Sequence, residues 1–158
     1  MKIYIIGQVA SGKSILAKKL AHKYHLSYYE LDKIIWDDIQ GIKRNYQDIK
    51  NKIEEIKKQE SWIIEDVGRS IFQELYPLCD TIYYLKIPTV FLYYRVIKRW
   101  IKQLLKLEKS NYPQNIKTLK QMLTWLKKGL QKENTKLNSI PQDKLKIITF
   151  FKIKKMLK

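Results

Sequence analysis

Residues 7–14 read GQVASGKS and follow directly on the apolar run KIYII at 2–6. Gly7, Gly12, Lys13 and Ser14 fit the spacing G-x-x-x-x-G-K-[ST]. The pattern is short, and context gives it meaning: a β-rich run leads in and a helical pattern leads out. Two glycines let the backbone curl until its N–H groups face a chain of phosphates. A helix start adds unpaired N–H groups and the positive end of the helix dipole. In that geometry Lys13 reaches the β- and γ-phosphates and the Ser14 hydroxyl binds Mg²⁺. The stretch therefore predicts a site for a nucleoside triphosphate, with ATP and Mg²⁺ as cofactors. Gly7, Val9, Ala10, Ser11, Gly12, Lys13, Ser14 and Ile15 would surround the phosphates.

Outward from this stretch, β-rich runs alternate with helical patterns, which predicts an α/β domain with a mainly parallel sheet. Strands are expected at Lys2–Ile6, Leu26–Leu31, Ser61–Glu65, Thr81–Ile87 and Leu145–Phe150. The first helix, Lys13–Tyr24, carries Ile15, Leu16, Leu20 and Ala21 on one face. A second, Tyr46–Gln59, carries Ile49, Ile53 and Ile56. A short helix near Ser70–Leu75 should end at Pro77. Thr89 is a candidate cap for a long helix to about Lys109. Another helix runs from about Gln114 to Lys132, with Ile116, Leu119, Leu123, Leu126 and Leu130 in one stripe. A terminal helix carries Ile153, Met156 and Leu157. No linker or repeat divides the chain of 158 residues, so one domain is expected.

Three further constellations carry chemistry. Glu30 and Asp32 are two apart at the end of the second strand and should share a face. Asp32 would lie at the carboxyl edge of the sheet, where it can take a proton from an acceptor hydroxyl or hold Mg²⁺ through water. Residues 62–69, WIIEDVGR, place carboxylates at the end of an apolar strand. Glu65 or Asp66 can steer Mg²⁺ there, Glu65 being the assigned metal residue with Ser14. Arg69, four beyond Glu65, can clamp an anionic group of the acceptor. Arg95 and Arg99, one turn apart on the long helix, can stabilise charge on a transferring phosphoryl group. Lys13, Asp32, Arg95 and Arg99 thus form the candidate catalytic set.

The net charge is +17, and its distribution is uneven. Residues 1–85 hold 13 Lys/Arg against 12 Asp/Glu, while residues 86–158 hold 19 against 3. Such a second half attracts polyanions, so a nucleotide-gated nucleic-acid binder stands as the alternative to an enzyme. No helix-turn-helix, zinc or OB pattern supports direct base reading. The 116–130 stripe offers a route to a homodimer. His22 and His25 have no ligand cluster around them and fit the end of the first helix. Cys79, the single cysteine, excludes an internal disulfide and reads as a buried small side chain. No apolar run nears the roughly 20 residues of a membrane helix. A motif starting at Gly7 leaves no room for a leader, and a cytoplasmic setting is expected.

SWIIEDVGRS at 61–70 resembles the adenylate kinase stretch in which a strand-end acid precedes a substrate-binding arginine. YRVIKR at 94–99 resembles the arginine pair that opens the lid of those enzymes, and Glu30-x-Asp32 is similar to the acidic pair of shikimate kinase. Taken whole, the chain resembles the nucleoside-monophosphate-kinase-like branch of P-loop proteins. Within it, Tyr28–Asp32 with Trp36, the W-I-I-E strand and the lysine-rich tail resemble the bacterial DNA topology modulation (FlaR-related) proteins. The resemblance implies a P-loop NTPase three-layer sandwich: a five-stranded parallel sheet of order 2-3-1-4-5, helices on both faces and a helical lid at 89–133. It implies that 33–60 covers the acceptor, with Trp36 and Arg44 joining Asp32 and Arg69. It also implies that a loop near Phe150–Lys152 packs on the base. The 28 positions of 33–60 make a small acceptor segment, with Arg44 its only arginine. Neither the Thr-Gly-Asp pattern for AMP nor a Ser-Gly-Arg lid motif is present, and Asp66 stands where glycine is usual. A kinase for another small acceptor fits better than an adenylate kinase.

Overall fold

The structure, a computed structural model, describes residues 1–37, 42–108 and 115–156. Five strands form one sheet: β1 (Lys2–Gly7), β2 (Ser27–Glu30), β3 (Trp62–Asp66), β4 (Thr81–Lys86) and β5 (Leu145–Thr149). All neighbours are parallel and the order is β2-β3-β1-β4-β5. The helices are α1 (Lys13–Tyr24), α2 (Leu31–Ile35), α3 (Tyr46–Lys57), α4 (Thr89–Leu104), α5 (Ile116–Gln131), α6 (Glu133–Asn138) and α7 (Phe150–Met156), with a 3₁₀ segment at Ser70–Leu78.

Because helices cover both faces, the central strands are apolar on both sides. Alternation along each strand then sorts side chains into two cores. Tyr4, Ile6, Trp62, Ile64, Ile82 and Tyr84 meet α2, α3 and the 3₁₀ segment. Ile3, Ile5, Ile63, Leu85 and Ile148 meet α1, α4, α5 and α7. Trp62 and Tyr4 are fully buried and anchor the first core.

Local chemistry explains most element ends, and several differ from the sequence-based expectation. β2 stops at Glu30 and α2 begins at once at Leu31, so Glu30 and Asp32 do not alternate along one strand. Ile15 is 59% exposed, because the buried face of α1 is Leu16, Ala17, Leu20 and Ala21. His25 closes α1 in the left-handed region at φ 52°, with the Leu26 N–H returning to the Ala21 carbonyl. Asn45 caps α3 by accepting the Asp48 N–H at 2.8 Å. Pro77 lies inside the 3₁₀ segment rather than ending it.

Pro88, not Thr89, occupies the cap of α4. That helix ends at Leu104, short of the expected end. Lys106 turns left-handed at φ 56°, and the Leu107 and Lys106 amides return to the carbonyls of Lys102 and Gln103. Asn115 caps α5 through the Thr118 N–H at 2.8 Å. Lys109, Gln114 and Leu157, expected as parts of helices, lie outside the described residues. Leu119, Leu123, Leu126 and Leu130 are spent on the chain's own second core, although Ile116 remains exposed. Phe150 opens α7 directly, so no loop follows β5. Among the described residues, no helix is long and apolar enough to cross a membrane.

Candidate functional site

The turn between β1 and α1 shows why its glycines stand where they do. A Cβ on Gly7 would lie 2.4 Å from the Ser11 Oγ and 3.2 Å from the Leu85 Cβ. Gly12 holds φ 94°, a conformation that costs L residues strain. Ala10 is also left-handed, at φ 62°, and the Ser11 N–H closes the turn on the Gln8 carbonyl at 3.1 Å. The first helical bond runs from the Leu16 N–H to the Gly12 carbonyl. Lys13, Ser14 and Ile15 therefore begin α1 with N–H groups that have no intrahelical acceptor. No side chain caps this end and no acid lies in its first turn. The arrangement suits an anion.

β3 ends with two adjacent carboxylates, and strand alternation sends them to opposite faces. Glu65 faces α1. It is 2% exposed, its Oε1 accepts the Tyr28 hydroxyl at 2.7 Å, and its Oε2 lies 4.0 Å from the Lys13 Nζ. That Oε2 has no hydrogen bond, and neither does the buried Ser11 Oγ. Ser14 lies beside the Tyr28 hydroxyl. Burial, then the Glu65 charge, pushes the Tyr28 phenol well above its usual range. The same two causes raise the Glu30 carboxyl. A buried carboxylate with one oxygen free of hydrogen bonds, beside a hydroxyl at the helix start, fits a hard divalent cation or its water shell.

Asp66 faces the other way and is also buried. Its Oδ2 accepts the Gly68 and Arg69 N–H groups at 2.8 and 2.6 Å, and its Oδ1 accepts the Arg69 guanidinium. The other end of that guanidinium donates to Asp32, in the first turn of α2. The Asp66 carboxylate, standing where the adenylate kinase pattern has glycine, organises the turn that follows β3. Asp32 and Arg69 meet, as the acceptor assignment requires. Arg69, however, spends both ends of its fork within the protein.

Trp36 closes α2 and is 46% exposed. Arg44 is committed elsewhere: it donates to the Ile34 and Trp36 carbonyls at 3.1 and 2.7 Å and to Asp37 at 3.0 Å. Its guanidinium ties off the C-terminus of α2, a structural use that the acceptor assignment did not anticipate. Arg95 does reach the turn, donating to the Ala10 and Ser11 carbonyls at 3.2 and 3.1 Å. It also lies over the Phe150 ring, which stacks on Phe91 with centroids 4.8 Å apart. Arg99 points away, pairs with Glu108 at 3.3 Å and is more than half exposed. The two arginines are therefore not gathered at one point.

Three residues escaped the sequence reading. Tyr28 positions Glu65; its place two before Glu30 on one strand face was a usable signal. Gln8, at 4% exposure, donates to the Gly129 carbonyl of α5 at 2.8 Å, and nothing in the motif marks it. Lys136, on the unforeseen helix α6, donates to the Val67 carbonyl at 2.7 Å.

A five-stranded parallel sheet of order 2-3-1-4-5, with this turn at the end of its central strand, is the fold of P-loop kinases. The structure is similar to shikimate kinase from Bacteroides thetaiotaomicron, with a TM-score of 0.66 over 99% of this chain and 94% of that one at 15% identity. Shikimate kinase from Acinetobacter baumannii, solved with shikimate, gives a TM-score of 0.59 over 93% and 82% at 13% identity. A gluconokinase from Sinorhizobium meliloti 1021 gives 0.52 over 94% and 81% at 16% identity. At these identities the likeness is one of fold. No family model matches the chain, and no curated protein matches its sequence.

Proposed function

We propose that the chain is a phosphotransferase that moves the γ-phosphoryl group of Mg²⁺-ATP to a hydroxyl of a small acceptor. The observation that carries this reading is the split of adjacent acids across the sheet edge. Glu65 lies with Lys13 and Ser14 on the anion side; Asp66 lies with Arg69 and Asp32 on the other. Two reactants held on either side of one strand end can meet in line without sharing charged groups.

Lys13 offsets phosphate charge, and the N–H groups at the start of α1 hold the phosphate oxygens. Glu65 and Ser14 would hold the metal, which when bound neutralises charge on the phosphates. Asp32 accepts the proton of the acceptor hydroxyl. Arg95 lies against the phosphate-holding turn and is close enough to turn its guanidinium onto the transferring group. The known kinases of this fold described above act on shikimate and gluconate by name, which favours a hydroxylated acceptor over a nucleotide. The small 33–60 segment agrees. The resemblance to DNA topology modulation proteins rests on Tyr28–Asp32 with Trp36, the Trp62–Glu65 strand and the lysine-rich tail. For nucleic acid, the charge of residues 86–158 remains the sole argument.

The test is ADP formation from Mg²⁺-ATP against a panel of small hydroxylated acceptors, with Lys13→Ala alongside. Acceptor-dependent turnover is expected, and the variant should lose it while keeping its circular dichroism spectrum. Full activity in Lys13→Ala would end this reading.

A further inference from the structure

α6 lays Lys136 across the turn that follows β3. Gly68 makes that turn at φ 81°, and a Cβ there would stand 3.1 Å from the Lys136 Cδ and 3.0 Å from the Ile6 Cγ2. The glycine both permits the backbone angle and leaves the channel that the lysine stem fills. Its ammonium donates to the Val67 carbonyl at 2.7 Å. Among the described residues this is its only hydrogen-bond partner, and no carboxylate lies within ion-pair distance of it. The ammonium has three N–H groups, so two remain for a further acceptor.

The neighbourhood is otherwise well compensated. Arg69 is matched by two carboxylates, Asp66 and Asp32. Lys136 feels Asp66 from beyond contact range, and Arg69, Lys13 and Lys132 oppose it; burial first, then these cations, holds its pKa below the usual lysine range. Its bond to the carbonyl of Val67, the residue after Asp66, sets it beside the Asp66–Arg69–Asp32 group. A half-buried ammonium without a counter-ion is costly, and an arriving anion relieves that cost. A clamp already closed on two carboxylates, by contrast, has little left to offer an anion.

We infer that the acceptor is a small hydroxylated anion, and that its carboxylate or phosphate is recognised by Lys136 while its hydroxyl faces Asp32. Lys136, and not Arg69, sets this specificity. The inference rests on the kinase reading for the location of the acceptor.

The experiment is a calorimetric titration of the full chain holding a non-hydrolysable Mg²⁺-ATP analogue. Three pairs of probes are used: shikimate and its methyl ester, D-gluconate and D-glucitol, glycerol 3-phosphate and glycerol. At least one anion should bind, and its uncharged partner about tenfold more weakly or worse, the worth of one charge-assisted contact. Lys136→Met should weaken that anion by a similar factor and leave affinity for the ATP analogue unchanged, and Lys136→Arg should restore most of the loss. Which pair responds tells carboxylate from phosphate. Equal binding of charged and uncharged partners overturns the inference. So does anion binding that Lys136→Met leaves intact, a loss that falls on the ATP analogue, or no binding by any of the three anions. ADP formation is read separately. An anion held through Lys136 without turnover supports Lys136 as the anion-recognising residue and counts against the kinase reading; turnover of uncharged acceptors alone supports the kinase reading and overturns the inference.

Discussion

Replacing Gly129 by alanine should reverse its effect depending on Gln8. Gly129 lies in the last turn of α5, where its carbonyl accepts the Gln8 Nε2 at 2.8 Å. A methyl group there would come within 2.2 Å of the Gln8 Oε1 and 3.2 Å of its Cδ. Gln8 is 4% exposed and its amide donates to the Gly129 carbonyl, so it cannot swing aside without giving up that partner. In an ordinary helix, Gly→Ala stabilises by about 1 kcal/mol. Here a displaced, buried amide costs about 1–3 kcal/mol. The single variant should therefore fall between neutral and about 2 kcal/mol less stable.

In a Gln8→Ala background nothing is left to displace, and Gly129→Ala should stabilise by about 1 kcal/mol. Urea unfolding of the four proteins measures both steps, and their difference gives a coupling of about 1–3 kcal/mol. With a urea slope of about 1–3 kcal/mol per molar, the midpoint should move by roughly 0.5 M in opposite directions in the two backgrounds. Shifts of one sign and similar size in both would refute the packing argument.

Tyr28→Phe removes the hydroxyl that holds Glu65, and losing a hydrogen bond to a buried charge should destabilise by about 1.5–3 kcal/mol; an unchanged urea midpoint would show that the bond contributes nothing. Glu30 has its pKa raised in the fold by burial and by Glu65, so its charged form weakens the native state. The stability it contributes is complete when it is protonated and disappears as pH rises through its folded pKa. Glu30→Gln should therefore be more stable than the parent at pH 7, with the gap closing below about pH 4, where unfolded glutamate also protonates; thermal melts across pH that run parallel would contradict this. The Cys79 thiol is 2% exposed, donates to the Leu75 carbonyl and is pushed up to about 12 by burial. It should resist thiol reagents at pH 8 in the native protein and react only on unfolding, which a labelling time course checks.

The fold was legible because its main signals are local. Gly7–Ser14 between a strand and a helix, and short apolar runs separated by helical periods, are patterns of neighbouring residues. What escaped depends on how each side chain is aimed once the backbone has turned. Arg44 and Arg69 are alike in composition, yet one ties off a helix end and the other bridges two acids. Only the positions of Ile34, Trp36 and Asp37 on one side, and Asp66 and Asp32 on the other, decide which. The start of α2 was hidden for another reason. Leu31 suits a strand as well as a helix, and the change from one to the other happens within a single residue.

The acids at 65 and 66 show how much a single step along a strand can do. The apolar run before them forces β3 into the centre of the sheet, paired with β1 and β2, and both of its faces are covered. Once that is so, consecutive side chains must enter different layers. Glu65 is delivered to Lys13 and Asp66 to Arg69 with no further instruction. The residues around each acid then complete it: Tyr28 donates to one oxygen of Glu65 and leaves the other without a hydrogen bond, whereas Asp66 is filled by backbone and arginine donors. An acid with an open oxygen suits a cation, and an acid that is fully occupied suits a scaffold. The same run of apolar residues that builds the core therefore also separates the part of the site that binds charge from the part that holds its shape. Lys136 reaches the second part from a different helix and brings to it a cation that, among the described residues, has no ion-pair partner.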